Sequence, residues 1–379
     1  MNCWRPLDPN RPSPSGYAEA SRGASRLSRF TCGSAAVARS VAVALIGSTC
    51  LLTSSPHLIR AADVSAGLEA EVVVAGVARP IQLALDPEGR LVVLSLGLRG
   101  DAAAEVYRFD LRRSLPIDAT RVPRVVIPFA DALRPAVFGS LAVDGRSGDL
   151  FLGEENGNRI YRFGADHRLQ PVAVGLNHLL GGSALALDRR GRLVFLDYSS
   201  PETNLRSETP LPPSLSWLID EGYRGPLVFR VDPHEPRPLP RRADLLTPLL
   251  PRGGTSPAGQ EPLWRLIAVA AAEDDTLILL SSVGEVFRLG SDGELRLVVR
   301  LPGGHYHRTN LAVGPDGSVF VCAGFQIRRI YRVSLAGDVS LVASELGDPG
   351  GIAFDAAGAL YVAETALHRI IRIAPATLR

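Results

Sequence analysis

The chain of 379 residues carries 41 basic and 39 acidic side chains, which gives a formal net charge of +2 at pH 7. Seven of the basic residues but only two acids, Asp8 and Glu19, lie in residues 1–62, so the remaining chain is slightly acidic. Without a basic excess it lacks the charge pattern of a nucleic-acid-binding protein, and no nucleic-acid partner is expected. Every basic residue is Arg, which excludes chemistry that depends on a lysine base or a lysine Schiff base.

The first 62 residues are predicted to be separate from the folded domain. Residues 41–52, VAVALIGSTCLL, are an apolar run too short to span a bilayer as a helix. Arg39 before this run and Ala61 and Ala62 after it are typical of a secretory signal that is cleaved near Ala61 or Ala62. A disordered tail, a misassigned start and a short uncleaved anchor are the alternatives. We expect an extracytoplasmic protein, periplasmic or secreted, that contacts a membrane only through an uncleaved segment.

Cysteine usage neither supports nor contradicts export. Three of the four cysteines, Cys3, Cys32 and Cys50, lie in the N-terminal segment, which leaves Cys322 alone in residues 63–379. The predicted domain therefore cannot form an internal disulfide.

Residues 63–379 contain six copies of one unit. Each copy has an apolar strand, a turn, a second strand, a connection and a third strand, as in residues 349–373, PGGIAFDAAGALYVAETALHRIIRI. The first strands of the copies begin, in chain order, at Leu83, Leu141, Leu185, Leu266, Leu311 and Ile352. Further apolar runs at 124–129, 171–174, 295–301 and 339–343 supply fourth strands. The repeat predicts an all-β fold, a six-bladed β-propeller.

The two ends of the repeat predict how the ring closes. No outer strand follows the sixth copy, while residues 69–75, EAEVVVA, precede the first copy and belong to no blade. An N-terminal strand that completes the last blade would remove two exposed sheet edges, and this is the closure we expect.

Two stretches interrupt the repeat. Residues 198–224 are inserted between the second and third strands of the third copy. Leu215, Trp217 and Tyr223 give this insertion apolar groups that can pack, so we expect it to form a lid over the ring. Residues 232–262 form a second insertion, rich in Pro, Arg and Gly, for which a lid and a disordered loop are both compatible with the composition.

Propeller geometry separates two sets of loops. Loops that precede first strands and loops that follow second strands share one face around the central channel, and we call them the channel-mouth loops. The turns between first and second strands collect on the opposite face, and their acids are predicted to be structural because tight turns require Asp and Gly. These turn acids are Asp86, Asp144, Asp188, Asp274 or Asp275, Asp316 and Asp355.

The channel-mouth loops carry the candidate site residues. Imidazole, guanidinium and carboxylate groups gathered there can perform acid and base chemistry, and the predicted catalytic residues are Glu155, His178, His305, His307 and Arg308. Amide and carboxylate oxygens there can hold a divalent metal, and the predicted ligands are Asn177, Asp197, Asn310, Asp348 and Glu364. The alternatives are a polar, solvated rim without chemistry and, for Glu364, a hydrogen bond to the following turn, with Glu155 as its counterpart in the second copy.

Residues 349–373, together with LGEENGNRIYRF and LAVGPDGSVFV, closely resemble NHL repeats. Over residues 68–373 the chain resembles the superfamily of NHL, gluconolactonase/regucalcin-type and strictosidine-synthase-like six-bladed propellers. The resemblance implies a small-molecule ligand, lactonase-like hydrolysis and a divalent metal, Ca, Mg or Zn. The positions at which the lactonases hold their metal correspond here to Ile81, Gly139, Ser183, Thr309 and Gly350, and none of these is a carboxylate.

A second resemblance is local. Residues 301–321, LPGGHYHRTNLAVGPDGSVFV, are similar to a blade of quinone-dependent, sorbosone-type sugar dehydrogenases, which implies His305 as a base beside pyrroloquinoline quinone (PQQ). Those families also use Lys near the quinone and this chain has none, so PQQ is not the expected cofactor. The sequence favours an exported, monomeric propeller that binds a small molecule as a hydrolase or lactonase. A non-catalytic NHL-type binding module and the PQQ dehydrogenase are the alternatives.

Overall fold

A computed structural model describes residues 69–96, 103–128, 136–176, 179, 181–199, 225–235, 244–246, 265–324 and 326–378. The predicted export segment and most of both predicted insertions lie outside these ranges, so export and the lid stay predictions. No helix within the described ranges is long and apolar enough to cross a membrane.

Six sheets confirm the predicted six-bladed β-propeller. The first two blades contain β2 (Pro80–Leu85), β3 (Leu91–Ser95), β4 (Glu105–Phe109) and β6 (Arg124–Val126), then β7 (Phe138–Val143), β8 (Leu150–Glu154), β9 (Arg159–Phe163) and β10 (Leu169–Ala173). The third and fourth contain β11 (Leu185–Leu187), β12 (Leu193–Ser199) and β13 (Gly225–Val231), then β14 (Leu266–Ala271), β15 (Leu277–Ser281), β16 (Glu285–Leu289) and β17 (Leu295–Arg300). The last two contain β18 (Asn310–Val313), β19 (Val319–Ala323), β20 (Arg329–Val333) and β21 (Val339–Ala343), then β22 (Pro349–Phe354), β23 (Leu360–Glu364) and β24 (Arg369–Ile373). Short 3-10 helices cover Ala119–Arg121, Thr365–Leu367 and Pro375–Leu378.

Two further strands join the sixth blade, β1 (Ala70–Ala75) and β5 (Ile117–Asp118). Strand β1 pairs antiparallel with β24, from Ala70 opposite Ile373 to Ala75 opposite Arg369. Its other edge pairs in parallel with β5, which comes from the loop between the third and fourth strands of the first blade. The sequence predicted an N-terminal strand at this place but not β5, so β1 lies inside the sheet and is not its outermost strand.

The core lies between neighbouring blades. All five residues are buried in each of the second strands β3, β8, β15, β19 and β23, because adjacent blades cover both of their faces. Outer strands are partly exposed, with Val126 53% and Leu297 52% accessible. Val, Leu, Ile and Ala supply most of the packing, as the scarcity of aromatic residues predicts.

The acids in the turns between first and second strands are structural, as predicted. Asp86 accepts hydrogen bonds from the backbone amides of Glu88 at 3.2 Å and Arg90 at 2.8 Å. In the fourth blade the acid that accepts from the following amide is Asp274, which lies 3.2 Å from the nitrogen of Thr276. These hydrogen bonds hold the Asp86 and Asp274 carboxylates in the turns, on the face opposite the channel mouth.

Candidate functional site

A cavity of about 250 Å³ lies at the channel mouth. Its lining comes from the channel-mouth loops of blades one, two, three, five and six, which is the convergence that the repeat geometry predicts. The polar side chains in the lining are Arg79, Gln82, Glu155, Arg308, Asn310, Asp348 and Thr365. Of the predicted site residues, the structure therefore brings together Glu155, Arg308, Asn310 and Asp348.

Backbone hydrogen bonds draw the first strands together beside this cavity. The Gly182 amide donates to the Gly139 carbonyl at 3.0 Å, and the Ser183 amide donates to the Thr309 carbonyl at 3.3 Å. Gly182 has a φ of +92°, and a Cβ there would lie 2.7 Å from the Thr309 carbonyl oxygen. Glycine is therefore required where the backbones of blades three and five approach each other.

The Glu155 carboxylate occupies space that two glycines leave open. A Cβ on Gly139 or on Gly181 would overlap Glu155 Oε1. Arg308 Nη2 donates to Glu155 Oε2 at 3.1 Å, and the Glu155 side chain is only 20% exposed. Burial raises the pKa of Glu155 above its ordinary value, while the charge and hydrogen bond of Arg308 act in the opposite direction. The site thus holds a carboxylate of raised proton affinity beside a guanidinium group.

Asn310 presents an amide group to the same cavity. The residue is 1% exposed, and its Oδ1 accepts a hydrogen bond from Ser183 Oγ at 3.0 Å. Ser183 Oγ in turn accepts from the Leu311 amide at 3.0 Å, so the serine proton is directed to Asn310. Asn310 Nδ2 has no hydrogen-bond partner within the described ranges.

Three polar side chains of the lining were not singled out from the sequence: Arg79, Gln82 and Thr365. Gln82 Nε2 donates to the Gly139 carbonyl at 2.9 Å and Thr365 Oγ1 donates to the Pro80 carbonyl at 2.7 Å, so both are tied to the blade backbone. The loop position of Arg79 before the first strand of blade one is the signal that could have identified it.

Two predicted metal ligands lie away from the cavity lining. Glu364 is 1% exposed, accepts from the Gly347 amide at 2.8 Å and pairs with Arg369 Nε at 2.5 Å, so its carboxylate is committed to its own blade. The expected alternative for Glu364, a hydrogen bond to the following turn, differs from the structure, because the carboxylate bonds the loop before β22 and Arg369 and makes no side-chain hydrogen bond to the 3-10 helix that follows it. Asp197 is buried, and its Oδ1 accepts from the amide of Tyr198 at 2.8 Å.

The expected equivalence of Glu155 and Glu364 is wrong by one residue. Glu364 lies opposite Arg369 in the β23–β24 pair, and the matching pair in blade two is Glu154 opposite Arg159. Glu155 follows the end of β8, and it is Glu155 that lines the cavity.

The histidine cluster is anchored by the residue between its two imidazoles. Tyr306 is fully buried and donates to the Pro302 carbonyl at 2.6 Å, whereas His305 and His307 are exposed and are not among the cavity-lining residues. Although His307 is exposed by its accessible surface, partial desolvation of its ring and the nearby charges of Arg308, His305 and Arg265 lower its pKa. Asn177 and His178 lie outside the described residues.

The lining does not fit the divalent metal that the resemblance implies. Among the described residues no group of three or more His, Cys, Asp or Glu side chains is placed to hold a metal ion. Two carboxylates, Glu155 and Asp348, share the lining with two guanidinium groups, and the unsatisfied atom of Asn310 is a nitrogen, not an oxygen. Hard divalent cations require several oxygen ligands.

No protein-family model matches the chain, and no curated protein matches its sequence. Among solved structures, a gluconolactonase from Xanthomonas campestris is similar, with a TM-score of 0.53 and 19% identity over 83% of this chain and 91% of that chain. A second structure, provisionally classed as a gluconolactonase, has a TM-score of 0.50 and 15% identity over 83% of this chain and 94% of that chain. A catalytically inactive variant of virginiamycin B lyase from Staphylococcus aureus, solved with quinupristin, has a TM-score of 0.48 and 11% identity over 81% of this chain and 98% of that chain. At these identities the likeness concerns the fold alone, and the two structures with TM-scores of 0.50 and above agree with the propeller fold of this chain.

Proposed function

We propose that the channel-mouth cavity binds a small molecule and that the protein is a lactonase-like hydrolase in which Glu155 activates water. The observation that carries the proposal is the Glu155 carboxylate, held against Gly139 and Gly181 and bonded to Arg308 inside a cavity of about 250 Å³. Because the lining residues do not form a metal-ligand set, no step is assigned to a metal.

The chemistry follows from the two charged groups. The Glu155 carboxylate removes a proton from a water molecule while the water oxygen attacks the carbonyl carbon of an ester or lactone. Negative charge develops on the carbonyl oxygen, where the guanidinium of Arg308 can stabilise it. The ring C–O bond then breaks and the proton held by Glu155 passes to the leaving oxygen, which gives a hydroxyl group and a carboxylic acid.

Hydrolysis of a panel of five- and six-membered lactones, δ-gluconolactone among them, tests the proposal in a pH-stat assay. Glu155→Gln should lower kcat/KM by about 10²- to 10⁴-fold, the usual contribution of a general base. Glu345→Gln is the matched control because Glu345 is exposed and outside the cavity lining. Absence of turnover on every lactone, or equal activity of the two variants, would contradict the proposal.

A second pair of variants tests the position of the carboxylate. Gly139→Ala should displace Glu155 and lower kcat/KM at least about tenfold, because the new Cβ overlaps Oε1. Gly145→Ala, in a turn of the same blade with open space around it, should leave the rate unchanged.

A non-catalytic binding module is the second candidate. The Glu155–Arg308 hydrogen bond at 3.1 Å favours it, because a carboxylate already engaged by a guanidinium is a weaker base. Saturable ligand binding without any turnover would select this candidate.

A further inference from the structure

We infer that the channel-mouth cavity is an anion site, which recognises a carboxylate group on the ligand at Arg79 and Asn310. The inference rests on the proposed site and specifies its ligand: a hydroxy-carboxylate whose charged group is separate from the bond that is hydrolysed. The lining thus suits an anion where the family resemblance implies a cation.

Arg79 supplies a positive charge that is available to a ligand. It lines the cavity, and its guanidinium has no hydrogen-bond or ion-pair partner within the described ranges. Its backbone is fixed, since the Arg79 amide donates to His368 Nδ1 at 3.0 Å and its carbonyl accepts from the Leu96 amide at 3.3 Å. The planar guanidinium group matches the geometry of a carboxylate, to which it can donate two hydrogen bonds.

Asn310 supplies an uncharged donor. It lines the cavity and is 1% exposed, and the hydrogen bond from Ser183 holds its oxygen, while its Nδ2 is buried without a partner within the described ranges. A buried N–H group without a partner costs free energy, and a ligand oxygen that accepts from it removes that cost. The unsatisfied group therefore selects a ligand with an acceptor at this point.

The remaining charged groups of the lining indicate a second polar group on the ligand. Arg308 is neutralised by Glu155, which leaves Arg79 and Asp348 as the other charged groups of the lining. Asp348 has an interaction of its own within the protein, and a carboxylate retains acceptor sites for a hydroxyl group. A carboxylate for Arg79 and a hydroxyl for Asp348 are both present in a hydroxy acid.

Calorimetric titration of the full chain with L-malate, its neutral diamide malamide, and Ca²⁺ at constant ionic strength tests the inference. Malate should bind at least about tenfold more tightly than malamide, because charge-assisted hydrogen bonds are stronger than neutral ones. Equal affinity for malate and malamide would overturn the inference. So would Ca²⁺ binding that is lost in Asp348→Asn, because it would show a cation site.

Variants locate the anion. Arg79→Gln should lower malate affinity at least about tenfold, while Arg113→Gln, which removes an exposed arginine of the same blade outside the lining, should leave it unchanged. Asn310→Asp keeps an acceptor for Ser183 but replaces the donor by a carboxylate, so it should weaken malate binding by a similar factor. If Arg79→Gln fails to fold, Arg79→Lys, which keeps the charge, should retain binding. Wild-type affinity in Arg79→Gln or in Asn310→Asp would overturn the inference.

The anion site and the proposed hydrolase can fail independently, because one is tested by binding and the other by turnover. Malate tests binding alone, since it contains no bond that the enzyme would cleave. Malate binding with the expected variant pattern, but no lactone hydrolysis, would remove the hydrolase and support the anion site. Hydrolysis that does not distinguish carboxylated from neutral lactones and is unchanged in Arg79→Gln would support the hydrolase and overturn the anion site.

Discussion

Burial and the charge of Arg308 shift the pKa of the Glu155 carboxylate in opposite directions. Loss of solvent raises its pKa, and the guanidinium of Arg308 lowers it again without cancelling the first effect. A carboxylate in this state is a stronger base than an exposed one. The two glycines that make room for it therefore help to set its basicity as well as its position.

The pH dependence of hydrolysis should report this balance. Glu155 acts as a base only when it is deprotonated, so kcat/KM should rise with pH through the pKa of Glu155, above the ordinary range for glutamate. Arg308→Gln removes the group that lowers this pKa, so the rise should move to higher pH. The pH profile of kcat/KM for the wild type and Arg308→Gln measures the shift. A profile that stays in place or moves to lower pH would contradict the assignment of Glu155 as the base.

Glu364 should affect stability and not catalysis. Its carboxylate and Arg369 are both buried, so Glu364→Ala leaves a buried guanidinium without its counterion and should lower the free energy of unfolding by about 3–5 kcal/mol. Glu294→Ala, which removes an exposed partner of Arg296, should have no measurable effect. Urea unfolding compares the two variants. Equal stability losses, or a loss of kcat in folded Glu364→Ala, would contradict this role.

At the scale of the strand, β1 is an interior element of the sixth sheet. Val74 lies opposite Ile370 of β24 and opposite Ile117 of β5, and it is fully buried. Hydrogen bonds on both edges and burial of Val73 and Val74 fix this N-terminal segment to the last blade and to a loop of the first.

Val74→Ala should destabilise the protein by about 1–3 kcal/mol, because it removes two buried methyl groups and leaves a cavity. The same substitution at Val126, which is 53% exposed on β6, should change stability by less than about 0.5 kcal/mol. The two free energies of unfolding from urea titrations decide the comparison. Similar values would show that β1 contributes little to the fold.

The repeat predicted the strands because their apolar positions and turns recur, and it could not predict features outside the repeat. Strand β5 has only two residues and no apolar run that distinguishes it from a loop. Glu154 and Glu155 are adjacent, so an error of one residue in aligning the repeats matched Glu364 with the wrong glutamate. Such an error matters because side chains alternate between the two faces of a strand. His305 and His307 lie in a loop whose path the repeat does not set, and the burial of Tyr306 directs them outward.

For the whole molecule, ring closure and the candidate site depend on the same segment. Strand β1 ends at Ala75, and the Gly76 and Val77 amides then donate to the His368 carbonyl in the last blade. Two residues later the Arg79 amide donates to His368 Nδ1. The closing strand therefore leads directly into the loop that places Arg79 at the channel mouth.

Removal of the closing strand should consequently damage both the ring and the anion site. A chain that starts at Glu69 retains β1 and should keep the melting temperature, the sedimentation coefficient and the malate affinity of the full chain. A chain that starts at Gly76 exposes the edges of β24 and β5, so it should melt at lower temperature, self-associate and lose malate binding. Calorimetry and sedimentation velocity measure these properties on the two truncated chains. If both chains melted and sedimented alike, β1 would not be the element that closes the propeller.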